Sequence, residues 1–186
     1  MLESTCTTHA TSGLSTTAFD LRRSPIVEVL RTFFLSRGVE AYLLGGVVRD
    51  SMLGRPVADV DVAVAGDLSQ IGRELASHLR APLIPLGESR PTMRMAVQLD
   101  GSKSWLDIQP LQGNIKEDMA RRDFTVDAMA VSFVDSATQC LERDVIDPTN
   151  GISDLKARVI RAVTPSVFEE DPARLMRAPR LAAELG

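Results

Sequence analysis

Two aspartates, Asp59 and Asp61, stand two residues apart in the run RPVADVDVAVAG. In a β-strand, residues i and i+2 point to the same face, so both carboxylates would project together while Val60 and Val62 fill the opposite, buried face. Like charges this close repel unless a cation lies between them, and hard divalent cations such as Mg²⁺ prefer carboxylate and phosphate oxygens. The spacing therefore predicts a magnesium site, although an Asp-x-Asp pair on its own is more typical of a solvated strand edge.

A double glycine precedes these aspartates. Gly45 and Gly46 follow the apolar run AYLL and precede VVRDSMLG, which predicts a strand-to-helix turn whose backbone N–H groups can approach a phosphate. Arg49 lies one turn into that helix, where its guanidinium could hold a phosphate, and Asp50 could fix the arginine side chain. A double glycine alone is usually a tight connection. Together with the carboxylates it predicts a site for a nucleoside triphosphate and its metal ions, and nucleotidyl transfer as the reaction.

A third aspartate, Asp107, lies in the predicted strand WLDIQPL, where Leu106 and Ile108 point the other way. If this strand lies beside the strand of Asp59 and Asp61, three carboxylates form a cluster that could hold two metal ions. The local sequence leaves a second interpretation open, in which Asp107 is a rim residue at the end of a hairpin.

Two basic segments follow. Arg121 and Arg122 could neutralise a triphosphate or could simply be solvated. The apolar residues after them predict a packed helix with the basic pair at its base: Phe124, Val126, Met129 and Val131. Near the end of the chain, three arginines recur at every third position after Asp171, a good helix N-cap, so they would share a helix face: Arg174, Arg177 and Arg180. That face is open to a solvated interpretation, and Pro179 inside the helix would cost about 3 kcal/mol if the helix stayed straight.

The elements that must position these residues alternate between helical and strand periods. Pro25 to Gly38 and residues 68–79 after Asp67 predict amphipathic helices. APLIPL, with two prolines, predicts an edge strand, and the segments on either side of Gly101 predict a hairpin. The fold class is therefore α+β, with antiparallel and crossover connections around one small mixed sheet flanked by helices.

The composition is that of a compact globular domain, or one domain plus a fragment, with 44% hydrophobic and 25% charged residues among 186. A Ser- and Thr-rich start predicts a disordered leader over residues 1–22. No segment resembles a membrane span or a targeting signal, so we expect a cytoplasmic protein. Isolated cysteines and histidines indicate neither disulfides nor zinc. The net charge of −4 argues against nucleic-acid affinity over the whole surface, so RNA contacts must be local.

Four motifs in order resemble those of class II tRNA nucleotidyltransferases, the CCA-adding enzymes, and of their bacterial poly(A) polymerase relatives. The motifs are LLGGVVRDSMLGRPVADVDVAVAG, EDMARRDFTVDAMA, VIDPTNGISDLKARVIRAV and FEEDPARLMRAPRLAAELG. The resemblance implies a nucleotidyltransferase head domain over residues 23–150 and the start of a helical neck over residues 151–186, with a body and tail beyond. It also implies Mg²⁺ as cofactor, CTP and ATP as donors, and the 3′ end of tRNA as acceptor, without a template.

The resemblance also implies roles for individual residues. Asp59, Asp61 and Asp107 would be the catalytic metal ligands. The remaining matches are nucleotide contacts, with Asp123 serving the ribose or ordering its loop: Gly45, Gly46, Arg49, Arg122, Asp123, Asp171, Arg174, Arg177 and Arg180. One departure is Asp127, where the family commonly has Asn.

The expected function is template-independent addition of C, A or both to the 3′ end of tRNA by two-metal nucleotidyl transfer. The alternatives are a poly(A) polymerase, a nucleotide-binding module that does not extend RNA, and a nucleotidyltransferase acting on a small molecule or a protein. Neither a G-x-G-x-x-G nor a P-loop motif occurs in the sequence. The oligomeric state stays open at this level.

Overall fold

The computed structural model describes Leu21 and residues 24–56, 59–87, 91–99, 101–134 and 144–186. The predicted leader lies outside these residues except for Leu21, which is buried. The strands are β1 (Ala41–Leu44), β2 (Asp59–Val64), β3 (Leu83–Leu86), β4 (Thr92–Leu99), β5 (Ser102–Pro110), β6 (Ala130–Ser132) and β7 (Val145–Ile146). The α-helices are α1 (Pro25–Arg37), α2 (Gly46–Met52), α3 (Leu68–Leu79), α4 (Ile115–Ala120), α5 (Gly151–Ala157), α6 (Val167–Glu170) and α7 (Arg177–Leu185).

The described strands form one mixed sheet in the order β3-β4-β5-β2-β1-β6-β7. β2 and β5 run parallel, with Asp61 in register with Asp107, whereas the other recorded pairs are antiparallel. The predicted α+β class, the hairpin and the edge position of β3 are confirmed. The long connection between β2 and β5 contains α3, β3 and β4, and this crossover brings the third aspartate beside the first two.

The helices α1 and α3 begin and end where the sequence predicts. Pro25 occupies the first turn of α1, and Gly38, at φ +62°, ends it in the left-handed conformation. The side chain of Asp67 caps α3 by accepting hydrogen bonds from the amides of Ser69 and Gln70. The apolar stripes of both helices pack on one face of the sheet, which we call the core face, with the valines of β2 and with Ile108 of β5.

The opposite face of the sheet is covered only in part. α4 packs there through Ile115 and Met119, which contact a small apolar cluster with Tyr42, Leu44 and Ala63. Because side chains alternate along a strand, Asp61 shares this face with Ala63, and we call it the aspartate face. The carboxylates therefore lie beside a packed helix and away from the main core.

Two expectations about helices are wrong. The apolar residues after Arg122 do not form a helix: Phe124 makes a β-bridge to Ala162, residues Thr125–Asp127 form a 3₁₀ turn, and β6 follows. All of these apolar residues are buried, so the stripe arose from burial on several sides and not from helical period.

The arginine-rich segment is also not one helix. Pro172–Met176 is a 3₁₀ turn, and α7 begins at Arg177. Pro179 is the third residue of α7, where the backbone N–H of a helix has no intrahelical partner, so the cost expected for a proline in a helix interior does not arise. Within the described residues, no helix is long and apolar enough to cross a membrane.

Candidate active site

Three carboxylates meet on the aspartate face. Asp59 and Asp61 point the same way from β2, and Asp107 occupies the position on β5 directly opposite Asp61. Adjacent strands lie about 4.8 Å apart, so Asp61 and Asp107 are cross-strand neighbours. The predicted cluster thus exists as a backbone arrangement, and the interpretation of Asp107 as an isolated rim residue is not supported.

The environment of Asp61 is unfavourable for an ionised carboxylate. Burial raises the pKa of Asp61 above its ordinary value; the positive charge of Arg122 opposes this rise, and the carboxylates of Asp107 and Asp59 add to it. A cation between the carboxylates would remove this penalty, because it would supply the charge that the protein interior lacks.

Asp107 is already paired in this structure. Arg94, opposite it on β4, donates from Nε to Oδ1 at 2.8 Å and from Nη2 to Oδ2 at 2.7 Å. Both oxygens of the third carboxylate therefore bind a guanidinium. Consistent with this, no cluster of three or more potential metal-binding side chains occurs among the described residues. The oxygen donors of Asp59 and Asp61 suit a hard divalent cation such as Mg²⁺, whereas Asp107 suits one only after Arg94 moves.

The glycine turn has the predicted geometry. Gly45 precedes α2 at φ +63° and ψ −126°, a backbone conformation that side chains disfavour. A Cβ at Gly45 would also lie 3.1 Å from Nη1 of Arg122. The side chain of Arg122 therefore packs directly on the turn, and the absence of a side chain at Gly45 is what gives it room.

Arg49 is placed differently from the expectation of a phosphate contact. Its Nε and Nη2 donate to the two oxygens of Asp50 at 3.0 and 3.1 Å, and its Nη1 donates to Asp127. The side chain of Arg49 is only 8% exposed and lies over Gly46. The predicted fixing of Arg49 by Asp50 is thus present, but Arg49 does not line the cavity described below.

Asp127 connects two helices. Its second oxygen accepts a hydrogen bond from Nη2 of Arg177 at 3.3 Å, while Nη1 of Arg177 lies 2.6 Å from Asp123. Burial raises the pKa of Asp127, with Arg49 and Arg177 opposing the rise. The additional charge at Asp127 is therefore matched by two guanidinium groups, one on α2 and one on α7.

A cavity of about 470 Å³ lies next to the carboxylates. Its lining is mainly polar and cationic: Pro91, Gln109, Pro110, Gln112, Asp118, Arg121, Arg122, Asp123, Arg174 and Arg177. Gln109 follows Asp107 by two residues on the same face of β5, so the cavity begins where the carboxylates end. Nε of Arg122 is buried and has no hydrogen-bond partner, its nearest carboxylate oxygen being Asp118 Oδ1 at 3.6 Å. Arg122 therefore has an ion-pair partner in Asp118 but an Nε without a hydrogen bond.

The C-terminal residues divide into two groups. Arg174 is buried, and Arg177 reaches Asp123 and Asp127, so both line the cavity. Arg180 is 61% exposed and lies 3.5 Å from Glu184, so it does not share their face. Asp171 caps the 3₁₀ turn by accepting from the amide of Ala173 and lies 3.7 Å from Arg174. The prediction that three arginines share one helix face is wrong. Pro172–Met176 is a 3₁₀ turn and α7 is an α-helix, and the two have different numbers of residues per turn.

Several residues of the site were not predicted from the sequence, namely Arg94, Gln109, Gln112 and Asp118 as lining or pairing residues. The hairpin itself contained a signal for Arg94: with Leu99 opposite Ser102, register alone places Arg94 opposite Asp107. The period of two along β5 likewise places Gln109 on the face of Asp107. Gln112 and Asp118 carried no signal, since their positions depend on how α4 packs.

Comparison with known proteins agrees with this geometry. Residues 41–161 match the family described as the poly(A) polymerase head domain. A CC-adding tRNA nucleotidyltransferase of Geobacter sulfurreducens is 37% identical over 163 residues, which are 87% of this chain and 36% of that protein. An A-adding tRNA nucleotidyltransferase of Aquifex aeolicus is 37% identical over 160 residues, 79% of this chain and 19% of that protein.

A solved structure of a tRNA nucleotidyltransferase complexed with a primer tRNA and an incoming ATP analogue superposes with a TM-score of 0.67 at 34% identity. The match covers 82% of this chain and 44% of that one. The architecture is therefore that of a nucleotidyltransferase head domain. The chain belongs to the poly(A) polymerase head-domain family, and the resemblance to tRNA nucleotidyltransferases is confirmed. It spans about a third or less of the length of these curated relatives.

Proposed function

We propose that this chain is the catalytic head of a template-independent RNA nucleotidyltransferase, which adds C, A or both from CTP or ATP to the 3′ end of tRNA. The observation that carries the proposal is the juxtaposition of Asp59, Asp61 and Asp107 with a cavity rich in arginine. Carboxylates that can hold a divalent cation beside cationic side chains that can hold a triphosphate are the parts that phosphoryl transfer requires.

In the proposed reaction, the 3′ oxygen of the RNA forms a bond to the α-phosphorus of the donor nucleotide. The bond from that phosphorus to the β-phosphate oxygen breaks, pyrophosphate leaves, and the hydroxyl proton passes to solvent. Mg²⁺ bound at Asp59 and Asp61 would supply positive charge opposite the developing negative charge on the reacting oxygens. For Asp107 to act as the third metal ligand, and for a second ion to bind, Asp107 would have to release Arg94 and bind the cation instead.

Side chains of the cavity have separate roles in this proposal. Arg122, whose buried Nε has no hydrogen bond and whose side chain packs on the glycine turn, binds the triphosphate. Asp123 orients Arg177, and Arg174 and Arg177 are placed to contact the base or ribose of the donor. Arg49 acts at one remove, because its ion pairs with Asp50 and Asp127 brace the helix that follows the turn. Arg180 and Asp171 contribute least in this arrangement.

The organisation into a head over residues 23–150 and a helical neck from residue 151 is part of the proposal. One contact argues for a modified boundary: Gly151 packs against Thr125, where a Cβ would lie 2.1 Å from the carbonyl oxygen. α5 therefore packs closely on the head, and the family match also continues to residue 161. We place the start of the neck after α5.

The test is incorporation of labelled CTP and ATP into tRNAs that end before the CCA sequence, after its first C and after its second C. We expect addition to at least one of these ends, with Mg²⁺ required, and loss of addition in Asp59→Asn and Asp61→Asn. Glu28→Gln changes an exposed carboxylate on α1, the helix that covers the core face; it is the matched control and should behave as the parent chain.

The pattern of products separates the named activities. Addition of two C residues, of a single A, of CCA or of a long A tail identifies each of the alternatives directly. Binding of CTP in the presence of Mg²⁺ without addition to any RNA would identify a nucleotide-binding module. Incorporation that is unaffected in Asp59→Asn would contradict the proposal as a whole.

A further inference from the structure

The hairpin of β4 and β5 leaves one of its faces open. Met95 and Val97 of β4 point to the core face and are buried. The alternate residues of the same strand, Ala96 and Gln98, are exposed. On β5, Leu106 is buried while Lys103 and Trp105 are exposed. The alternation places these exposed residues on the aspartate face, in continuation of the carboxylates.

Trp105 is the most conspicuous residue of this face. It is the one tryptophan in the sequence, and 45% of its surface is exposed. Asp59 is its register partner on β2, and the guanidinium carbon of Arg94 lies 5.4 Å from the centre of the indole ring. On the other side of Arg94 lies Ile84 of β3, which is the register partner of Arg94 and is 41% exposed. An apolar, cationic and aromatic row, Ile84, Arg94 and Trp105, thus borders the carboxylates.

The order of residues along β5 gives this row a direction. Trp105, Asp107 and Gln109 follow one another on the same face, with Trp105 at the open end and Gln109 at the cavity. The carboxylates therefore lie between the indole and the arginine-rich cavity. In-line displacement at phosphorus requires the attacking and leaving oxygens on opposite sides of the phosphorus atom. If the donor triphosphate lies in the cavity, the attacking RNA end must approach from the side of Trp105.

The chemistry of the row fits a nucleobase. Single-stranded RNA is bound largely by stacking of bases on aromatic and guanidinium planes, and each stacked base contributes about 1–3 kcal/mol by alanine substitution. Trp105 with Arg94 beside it supplies both kinds of plane, and Lys103 on the same strand adds a positive charge for the backbone phosphate. An acidic chain needs such a local surface if it is to hold RNA.

We propose that the row of Ile84, Arg94 and Trp105 is the surface on which the terminal base of the RNA acceptor stacks, with its 3′ hydroxyl directed towards the carboxylates. This inference rests on the proposed function and adds to it the site of the acceptor strand, separate from the donor cavity.

The single tryptophan provides a readout that does not depend on turnover. Titration of the chain with a short oligoribonucleotide ending in CC should quench the fluorescence of Trp105 in a saturable manner. In a parallel anisotropy titration with labelled RNA, Trp105→Leu should weaken binding by about 5- to 150-fold, the equivalent of one lost stack. Trp105→Phe, which keeps an aromatic plane, should retain most of the affinity.

Leu35→Ala is the matched control, since Leu35 has the same 45% exposure and belongs to α1, the helix that covers the core face. CTP affinity, measured by calorimetry with Mg²⁺, should be the same in Trp105→Leu as in the parent chain, which also reports that the variant is folded. If Trp105→Leu binds RNA as tightly as the parent while CTP binding persists, the stacking surface is refuted and the proposed function stands. The stacking surface is also refuted if Trp105→Phe loses as much RNA affinity as Trp105→Leu. If the parent chain binds neither CTP nor RNA, the proposed function itself fails.

Discussion

The substitution Asp154→Asn is expected to destabilise the chain through one buried carboxylate on α5. Oδ2 of Asp154 accepts the hydroxyl of Thr125 at 2.7 Å, which ties α5 to the 3₁₀ turn after Arg122 and Asp123. The same carboxylate accepts hydrogen bonds from Nε and Nη2 of Arg161 at 3.0–3.2 Å. Asp154 therefore supports the segment that carries two cavity residues, without lining the cavity.

The magnitude follows from the bond to Thr125. A hydrogen bond to a charged group contributes about 1.5–3 kcal/mol and a neutral one about 1 kcal/mol, so replacing the carboxylate by an amide should lower the free energy of unfolding by roughly 0.5–2 kcal/mol. The Arg161 side chain is 62% exposed, so its ion pair is screened by solvent and adds little. For a chain of this length the melting temperature should fall by about 1–8 °C.

The pH dependence has a definite sign. The hydrogen bonds from Arg161, and secondarily that from Thr125, lower the pKa of Asp154 in the folded state against the effect of burial. The unfolded chain therefore binds more protons in this range, and the stabilisation is complete above the unfolded value of about 3.9 and is lost as the pH falls through the folded pKa. The difference between parent and Asp154→Asn should be full at pH 7 and should close at lower pH.

Urea denaturation followed by circular dichroism at pH 7 and at pH 3 measures both quantities, with Glu28→Gln as the exposed control. Equal midpoints of Asp154→Asn and the parent at pH 7 would refute the contribution of the bond. A gap at pH 3 as large as at pH 7 would refute its electrostatic origin.

Three further predictions concern the site. Because burial raises the pKa of Asp61, the unliganded parent loses stability as pH rises through that pKa; Asp61→Asn should therefore melt at a higher temperature than the parent at pH 7 while losing CTP binding with Mg²⁺, and a lower melting temperature would contradict this. Arg94→Met removes the half-exposed guanidinium that competes with a cation for Asp107, an ion pair that contributes about 1 kcal/mol. Calorimetry should therefore give roughly fivefold tighter Mn²⁺ binding. An unchanged Mn²⁺ affinity would contradict this competition. Gly45→Ala should weaken CTP binding in calorimetry and also lower stability. Gly38→Ala should lower stability alone, because Gly38 has a similar φ but open space around it. Equal CTP affinities in the two variants would show that the contact of Gly45 with Arg122 is unimportant.

Local pattern was sufficient for much of the fold. The caps of α1 and α3, the hairpin around Gly101 and the edge strand with its prolines each depend on interactions within a few residues, and all were predicted correctly. The face shared by Asp59 and Asp61 follows from the period of a strand. The neighbour relation with Asp107 required the parallel pairing of β2 and β5, for which the sequence offered only a conditional argument.

The errors arose where tertiary packing decides the structure. The sequence predicts one helical stripe for Phe124, Val126 and Met129, but they are buried in the core, and the 3₁₀ turn among them packs against α2 and α5. The nucleotide contact expected of Arg49 stays a prediction, but its hydrogen bond to Asp127, distant in the chain, had no signal in the sequence. A pairing between residues so far apart cannot be derived from spacing alone.

The parallel pairing of β2 with β5 has a consequence for the order of folding. The antiparallel pairs β3–β4 and β4–β5 connect neighbouring segments and close small loops, whereas β2–β5 must enclose all of α3, β3 and β4. Closing that longer loop costs more chain entropy than closing the hairpins, and a unit of β3, β4 and β5 alone contains Asp107 without the aspartates of β2. In a chain that forms these local units first, the repulsion between Asp61 and Asp107 would arise only when β2 joins the sheet.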